Sequence, residues 1–184
     1  MICSGQSQFT HRIGKLAFQF NAKKVVGRSM GGAMIELLDH YSESVAIQIY
    51  DVFQLSYEVE ASLVGVKDFP PLRRNASHIQ SSSSQFLGQR IGVDLAAVVE
   101  FTQTGEELSI DSLVVHPQYF RRGLASQLLQ SLLAKVHWQN ANVETAAANN
   151  PALVLYKKFG FSESKRWKTA DGIEKVRLMC RNTI

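Results

Sequence analysis

The sequence predicts a single domain of the mixed α/β class. The length of 184 residues suits one domain with a sizeable core, and 45% apolar with 20% charged residues is typical of a globular protein. In the second half of the chain, apolar runs and amphipathic segments alternate as strand, helix, strand, helix, strand, strand. This order predicts helices packed on a mixed sheet. No internal repeat is visible.

The first two predicted elements are a strand and a long helix. Residues 34–38 form a short apolar run that predicts the strand. Apolar side chains then recur at helical spacing over residues 45–63. Ser42 or Ser44 is expected to cap this helix, and Gly65 is expected to end it.

A connection broken by prolines follows, at residues 68–74. Phe69 and Leu72 lie on this connection and are expected to be exposed. Residues 75–80 predict a second, short helix.

Six further strands and two further helices are predicted. The strands lie at residues 85–91, 95–101, 108–115, 142–147, 161–167 and 174–180. One helix is expected over residues 121–137, where leucines recur on one face. The other is expected to begin with Asn150 as N-cap and Pro151 at the first helical position, and to end at Phe159 before Gly160.

The turn before the long helix has the composition of an anion site. It follows an apolar strand and lies at a helix N-terminus, where the first backbone N–H groups have no intrahelical acceptor. Gly123 and Ala125 carry little or no side chain, so a ligand can approach the backbone closely. Arg121 and Arg122 add positive charge. This combination suits a phosphate or a diphosphate.

Charge and cysteine content exclude several classes of protein. The net charge of +4 comes from residues 1–33, which hold five basic residues and no acidic ones; the remainder has a formal charge of −1. A general nucleic-acid surface is therefore unsupported. No apolar run approaches the roughly 20 residues of a membrane span. Two cysteines, Cys3 and Cys180, give no disulfide framework or CxxC metal pattern, and a cytoplasmic setting is expected.

Residues 1–33 are expected to be a basic N-terminal extension to a domain at residues 34–184. Four interpretations are open: a disordered extension, a targeting segment, residues upstream of a start at Met34, or an artefact. A dispensable tail is favoured, because the apolar pattern begins only near Met34.

Two motifs together resemble the GCN5-related N-acetyltransferase (GNAT) family. IDSLVVHPQYFRRGLAS resembles that family's strand, [QR]xxGx[GA] turn and helix, and NNPALVLYKKFGF resembles its N-x-x-A-x-x-L-Y-x-x-x-G-F helix. The matching residues are Gly123, Ala125, Asn149, Ala152, Leu155, Tyr156, Gly160 and Phe161. Phe120 departs from the pattern, because Gln or Arg usually opens the turn. The resemblance covers about residues 84–180.

The resemblance implies a mostly antiparallel, twisted mixed sheet flanked by helices, with two strands splayed apart at an acetyl-CoA site. The diphosphate of acetyl-CoA would bind the amides of the turn, with Arg121 or Arg122 supplying charge, and its pantetheine arm would pair with the strand. The implied cofactor-binding residues are Leu113, Val114, Val115, Arg121, Arg122, Gly123, Leu124, Ala125, Ser126, Asn149 and Tyr156. No metal is implied.

The implied reaction is direct attack of a primary amine on the thioester. A backbone N–H near Leu113 or Val114 would polarise the carbonyl, and Tyr156 would be the general acid for the leaving thiolate. Either Glu144 or Asp111 would act as the base through a water molecule. For each of these two carboxylates, a solvent-facing structural role is about as well supported.

The acceptor and the assembly remain open in the sequence. The acceptor would be a protein or peptide amine or a small amine, with Phe69, Leu72 and Arg73 as candidate contacts. The chain would be a monomer or a homodimer. One alternative is a non-catalytic acyl-CoA-binding regulatory module. A nucleotide-binding domain is less favoured, because the sequence contains neither a GxGxxG motif nor a GK[ST] motif after Gly123.

Overall fold

The computed structural model describes residues 33–183, and these residues build one seven-stranded sheet. Its strand order is β1-β2-β3-β4-β5-β7-β6, and every neighbouring pair is antiparallel except β4 and β5. The strands are β1 Ala33–Leu37, β2 Gln85–Ile91, β3 Asp94–Thr104, β4 Glu107–Val115, β5 Asn140–Ala146, β6 Ser162–Lys168 and β7 Glu174–Arg181. The predicted mostly antiparallel mixed sheet is confirmed.

Four helices cover the two faces of this sheet. They are α1 Glu43–Val64, α2 Ala76–Gln80, α3 Leu124–Lys135 and α4 Asn150–Lys158. Helices α1 and α2 pack on one face through a cluster that includes Phe53, Ile79 and Phe86. Helices α3 and α4 pack on the other face, where Leu128 is fully buried. Strand β3 is apolar along most of its length because it is buried on both faces.

Strand β4 leaves its parallel neighbour part-way along its length. Its pairing with β5 covers only the first four residues, ending at Ile110 opposite Val143. At that point the register with β3 shifts, so that Asp111 is an extra, bulged residue. Beyond the bulge, β4 continues to Val115 beside β3 and β5 continues to Ala146 beside β7, but β4 and β5 no longer pair with each other. The predicted splay is therefore present, and it leaves the facing edges of both strands open.

Most predicted elements occur within a few residues of where the sequence places them. Three predictions are corrected by the structure. The long helix begins at Leu124, because Arg121 and Gly123 have positive φ values of 63° and 77° that a helix does not allow. Asn149, and not Asn150, caps α4, and its side chain accepts a hydrogen bond from the Ala152 N–H. The prediction of an exposed Phe69 is wrong.

Phe69 is only 7% exposed and packs against Tyr57, with ring centroids 6.0 Å apart. A 3₁₀ turn, Pro70–Arg73, follows Phe69 and directs the ring inwards, and Leu72 is partly buried against the same core cluster. The predicted extension at residues 1–33 lies, except for Ala33, outside the described residues. Within them, no helix has the length and apolarity that crossing a bilayer requires.

Candidate active site

The open edge of β4 forms one wall of a cavity of about 580 Å³. Leu113 and Val115 line this cavity, while Val114 points to the opposite face and packs under α1. Helix α1 supplies a second wall, and the start of α3 closes one end. The volume is within the range of ligand sites, about 300–1,000 Å³. We refer to this space as the cofactor cavity.

The start of α3 presents unpaired backbone donors to the cofactor cavity. The first hydrogen bond of the helix runs from the Gln127 N–H to the Gly123 carbonyl, so the N–H groups of Leu124, Ala125 and Ser126 precede the helical ladder. The first turn of α3 contains no acidic residue, although acidic residues normally stabilise that position. A ligand carrying negative charge would complement these donors and the helix dipole.

Two residues with left-handed backbone conformation shape this turn. Arg121 is the only non-glycine residue with positive φ in the described part of the chain, a conformation that costs about 1–3 kcal/mol. Gly123 adopts the same region as N-cap of α3, where a Cβ atom would be strained. Arg121 is among the residues that line the cofactor cavity, whereas the guanidinium of Arg122 stacks on the ring of Tyr119, 5.1 Å from its centroid.

Phe120, which stands where the resembled family has Gln or Arg, also lines the cofactor cavity. Its side chain remains 40% exposed, so the cavity mouth has an aromatic surface in place of a charge. Of the eleven cofactor-binding residues predicted from the resemblance, only Val114 and Arg122 have side chains outside the cavity lining.

A second cavity, of about 420 Å³, opens on the other side of the splay. We refer to it as the acceptor cavity. Its lining contains four carboxylates and one lysine, namely Glu60, Asp111, Glu144, Asp171 and Lys175. Phe69 also lines it, whereas Leu72 and Arg73 lie outside the lining of both cavities. Arg73 instead pairs with Asp68 at the surface.

The two cavities meet between α1, β4 and α4. Five residues line both of them, namely Glu60, Leu113, Asn149, Ala152 and Tyr156. A ligand extending along the cofactor cavity and one entering the acceptor cavity would therefore meet at these side chains. We refer to this place as the junction.

Tyr156 lies at the junction with its side chain almost fully buried. Burial, reinforced by the nearby Glu60 and Tyr57, raises the pKa of the Tyr156 hydroxyl well above its usual range. The hydroxyl is therefore protonated at neutral pH. Tyr156, the acid predicted from the resemblance, is thus one of the residues that border both cavities.

The two predicted base candidates have different surroundings. Glu144 accepts hydrogen bonds from Lys175 Nζ at 3.2 Å and Arg177 Nη2 at 2.6 Å. Partial burial acts to raise the pKa of Glu144, but these two cations lower it below its usual value. Asp111 is the bulged residue of β4 and accepts a hydrogen bond from Ser109 Oγ at 3.0 Å. Partial loss of hydration, reinforced by the nearby Glu100, raises the pKa of Asp111, although the residue as a whole is exposed.

Glu60 is a site residue that the sequence analysis missed. Its Oε1 atom accepts a hydrogen bond from Asn149 Nδ2 at 3.0 Å. The signal was present, because Ser56, Val59, Glu60 and Leu63 all line the cofactor cavity and follow the i, i+3, i+4, i+7 spacing of one helix face. Glu60 is the one charged residue among these four.

The family relationship follows from residues 56–181, which match the family described as "Acetyltransferase (GNAT) domain". The chain belongs to this family. The matched range begins on the α1 face that lines the cofactor cavity and ends with β7, so it includes every wall of both cavities.

Two curated relatives are similar to this GNAT domain. The UPF0157 protein YqkA of Bacillus subtilis is 34% identical over 143 residues, which cover 76% of this chain and 41% of that protein. The chain thus spans less than half the length of this relative. The N-alpha-acetyltransferase RimI of Mycobacterium tuberculosis is 30% identical over 109 residues, covering 56% of this chain and 68% of RimI.

Solved structures with low sequence identity share the fold. The ribosomal-protein-S18-alanine N-acetyltransferase from Escherichia coli has a TM-score of 0.64 at 20% identity, covering 81% of this chain and 93% of that one. YncA, a putative acetyltransferase from Salmonella typhimurium solved with its cofactor acetyl-CoA, has a TM-score of 0.63 at 12% identity, covering 82% of this chain and 94% of YncA.

Proposed function

We propose that this GNAT domain transfers the acetyl group of acetyl-CoA directly to a primary amine. The observation that carries the proposal is the junction, where a cavity suited to a long anionic cofactor meets a second, acidic cavity at Tyr156. Direct transfer requires both substrates to be present together, and two cavities with a shared wall satisfy that requirement.

The cofactor cavity fits acetyl-CoA at both ends. The diphosphate would bind the N–H groups of Leu124, Ala125 and Ser126, with Arg121 adding charge. The pantetheine arm, which carries amide groups, would pair with the open edge of β4 beside Leu113. Acetyl-CoA supplies an activated acyl group, and the protein's task is to position it and to move protons.

Three groups of this chain would assist the transfer at the junction. A backbone N–H near Leu113 or Val114 would donate to the thioester oxygen as negative charge develops there. Tyr156 would donate its proton to the departing sulfur, whose thiol has a reference pKa of about 8.5. A carboxylate in the acceptor cavity, with Asp111 and Glu144 as the sequence-predicted candidates, would remove a proton from the amine.

The acceptor cavity favours a positively charged amine. Four carboxylates and one lysine line it, and Arg177 neutralises part of the charge of Glu144. A field of this sign attracts an ammonium group. Either a small polycation or a peptide N-terminus meets this requirement. The relatedness to RimI, named as an N-alpha-acetyltransferase, supports the peptide.

A transfer assay tests the proposal directly. The protein is mixed with acetyl-CoA and spermidine, lysine, kanamycin or a peptide that begins with alanine, and release of free thiol is followed. We expect at least one amine to accelerate thiol release and to be recovered as its acetamide. Tight binding of acetyl-CoA with no transfer to any amine would instead indicate an acyl-CoA-binding regulatory module.

A further inference from the structure

Glu60 occupies a position that no other carboxylate in the described chain shares. Acidic side chains line the acceptor cavity at four positions, but only Glu60 also lines the cofactor cavity. It projects from α1 into the junction, on the side opposite the open edge of β4. A group placed there borders the spaces proposed for both substrates.

Asn149 fixes the carboxylate of Glu60 in this position. The amide oxygen of Asn149 accepts from the Ala152 N–H at 3.2 Å and caps α4, while its amide nitrogen donates to Glu60 Oε1 at 3.0 Å. Because both ends of the amide are engaged, α1 is tied to the helix that carries Tyr156. Only Oε1 of Glu60 takes part in a hydrogen bond within residues 33–183, so Oε2 is available to a substrate or a water molecule.

We propose that Glu60 is the catalytic base of this domain, which takes a proton from the acceptor ammonium directly or through one water molecule. The proposal rests on the proposed acetyl transfer. The ammonium loses one proton to Glu60, which passes it to solvent. The amine nitrogen then forms its bond to the carbonyl carbon and the carbon–sulfur bond breaks. Tyr156 protonates the sulfur and regains a proton from the newly acylated nitrogen, so that one proton is released per turnover.

The surroundings of Glu60 suit this role better than those of Glu144. Both Lys175 and Arg177 make ion pairs with Glu144, whereas no ion pair among the described residues involves Glu60. Burial raises the pKa of Glu60, against a smaller lowering by the Asn149 hydrogen bond and by Lys175. A carboxylate with increased proton affinity is the more effective base at neutral pH.

The titratable side chains near Glu60 determine which ionisation the pH dependence of activity would report. Lys175 of β7, Tyr156 of α4 and Tyr57 of α1 are the titratable side chains coupled to it, and Asp111 of β4 lines the same acceptor cavity. The pKa values of Tyr57 and Tyr156 are both raised. Loss of activity on acidification would therefore follow a carboxylate and not a tyrosine.

The test compares Glu60→Gln with Glu58→Gln, which changes an exposed carboxylate two residues away on the same helix. Gln keeps an oxygen that accepts from Asn149, so the tie to α4 is preserved. With acetyl-CoA and the most rapidly acetylated amine of the panel, we expect Glu60→Gln to lower kcat by about 10²–10⁴-fold. We also expect the kcat/KM profile between about pH 5 and about pH 9 to lose the ionisation that belongs to the base, so that only the ionisation of the amine itself remains on the acidic side. Glu58→Gln keeps both the rate and the profile.

Binding and stability distinguish a catalytic role from a structural one. Acetyl-CoA affinity is expected to be unchanged in Glu60→Gln. The melting temperature at neutral pH is expected to equal or exceed that of the wild type, because a half-buried charge whose pKa is raised by the fold is removed. If Glu60→Gln lost acetyl-CoA binding in proportion to its turnover, its role would be structural and the proposal would fail.

The remaining outcomes separate this inference from the proposed function. If the wild type transfers acetyl groups and Glu60→Gln does so at an undiminished rate, Glu60 is not the base but acetyl transfer stands. The same conclusion follows if Glu60→Gln keeps the ionisation of the base in the profile and only Glu144→Gln or Asp111→Asn removes it. A wild type that binds acetyl-CoA and acetylates no amine overturns both proposals.

Discussion

A negative charge introduced at the start of α3 should act in opposite directions on the free protein and on its complex with coenzyme A. Ser126 is the third residue of α3 and lines the cofactor cavity. The substitution Ser126→Glu adds a carboxylate in a first turn that has none. In the free protein this charge complements the helix dipole. In the complex it faces the diphosphate.

The added charge changes the stability of the free protein and its affinity for CoA by different amounts. A carboxylate in the first turn stabilises a helix by about 0.3–1 kcal/mol, which for a chain of this size raises the melting temperature by about 1–4 °C. Opposite the diphosphate, two like unit charges about 4 Å apart repel by about 1 kcal/mol in water and about 4 kcal/mol near a protein surface. The dissociation constant of CoA should therefore rise between about five-fold and several-hundred-fold.

Calorimetric titration with CoA and a thermal scan of the free protein measure both effects. Ser126→Gln has the same size without the charge and separates repulsion from crowding. Gln130→Glu adds the same charge on an exposed position one turn further along α3. If Ser126→Glu bound CoA as tightly as Ser126→Gln does, the diphosphate would not lie at the start of α3 and the placement of the cofactor would be wrong.

Three further predictions concern the junction and the core beneath it. Tyr156→Phe is expected to lower kcat by about 10²–10⁴-fold while CoA affinity is kept, as measured by turnover and titration, because only the proton donor is lost. Glu100→Ala is expected to lower the free energy of unfolding, measured by urea denaturation, by about 3 kcal/mol. The substitution leaves the Arg74 guanidinium, which donates two hydrogen bonds to Glu100, without its partner. This value is the lower end of the about 3–5 kcal/mol that breaking a buried ion pair costs, because the Arg74 side chain is 26% exposed. The free energy of unfolding should fall as the pH rises above about 10. Each of the buried Tyr57 and Tyr156 should contribute about 1.4 kcal/mol per pH unit to this fall.

The sign of the alkaline effect follows from the raised pKa values of these two tyrosines. Above the ordinary tyrosine pKa the unfolded chain loses protons that the folded chain retains, so stability present below that pH is lost as the pH rises. Tyr156→Phe should lower the slope by about 1.4 kcal/mol per pH unit, and an unchanged slope would contradict burial of the hydroxyl. For Glu100→Ala the control is Asp68→Ala, which breaks an exposed pair and should change stability little. A Tyr156→Phe enzyme with normal kcat would remove Tyr156 as the acid.

The fold could be predicted well because its signals are local. The αL C-cap at Gly65 and the leucine face of α3 depend on a few neighbouring residues. The position of the anion site is local in the same way, since the donors at the start of α3 come from backbone geometry. The predicted N-cap of α4 was wrong by one position. Either of the two adjacent asparagines satisfies the sequence rule for a cap, and only the hydrogen bond from the Ala152 N–H to Asn149 shows which of them caps the helix.

The residues proposed for proton transfer could not all be predicted from the sequence, because their surroundings depend on contacts distant in sequence. The cations that surround Glu144 come from β7, more than thirty residues away. Glu60 meets Asn149 across 89 residues. Phe69 was predicted to be exposed from its neighbouring prolines, yet it fills space against Tyr57, a contact that the connection's composition does not reveal.

The most direct test of the account is a crystal structure of this protein with acetyl-CoA bound. We predict that the diphosphate accepts hydrogen bonds from the N–H groups of Leu124, Ala125 and Ser126. We also predict that the pantetheine arm pairs with the open edge of β4, and that the thioester lies at the junction between Glu60 and Tyr156. Acetyl-CoA bound elsewhere, or a thioester turned away from the acceptor cavity, would contradict the account.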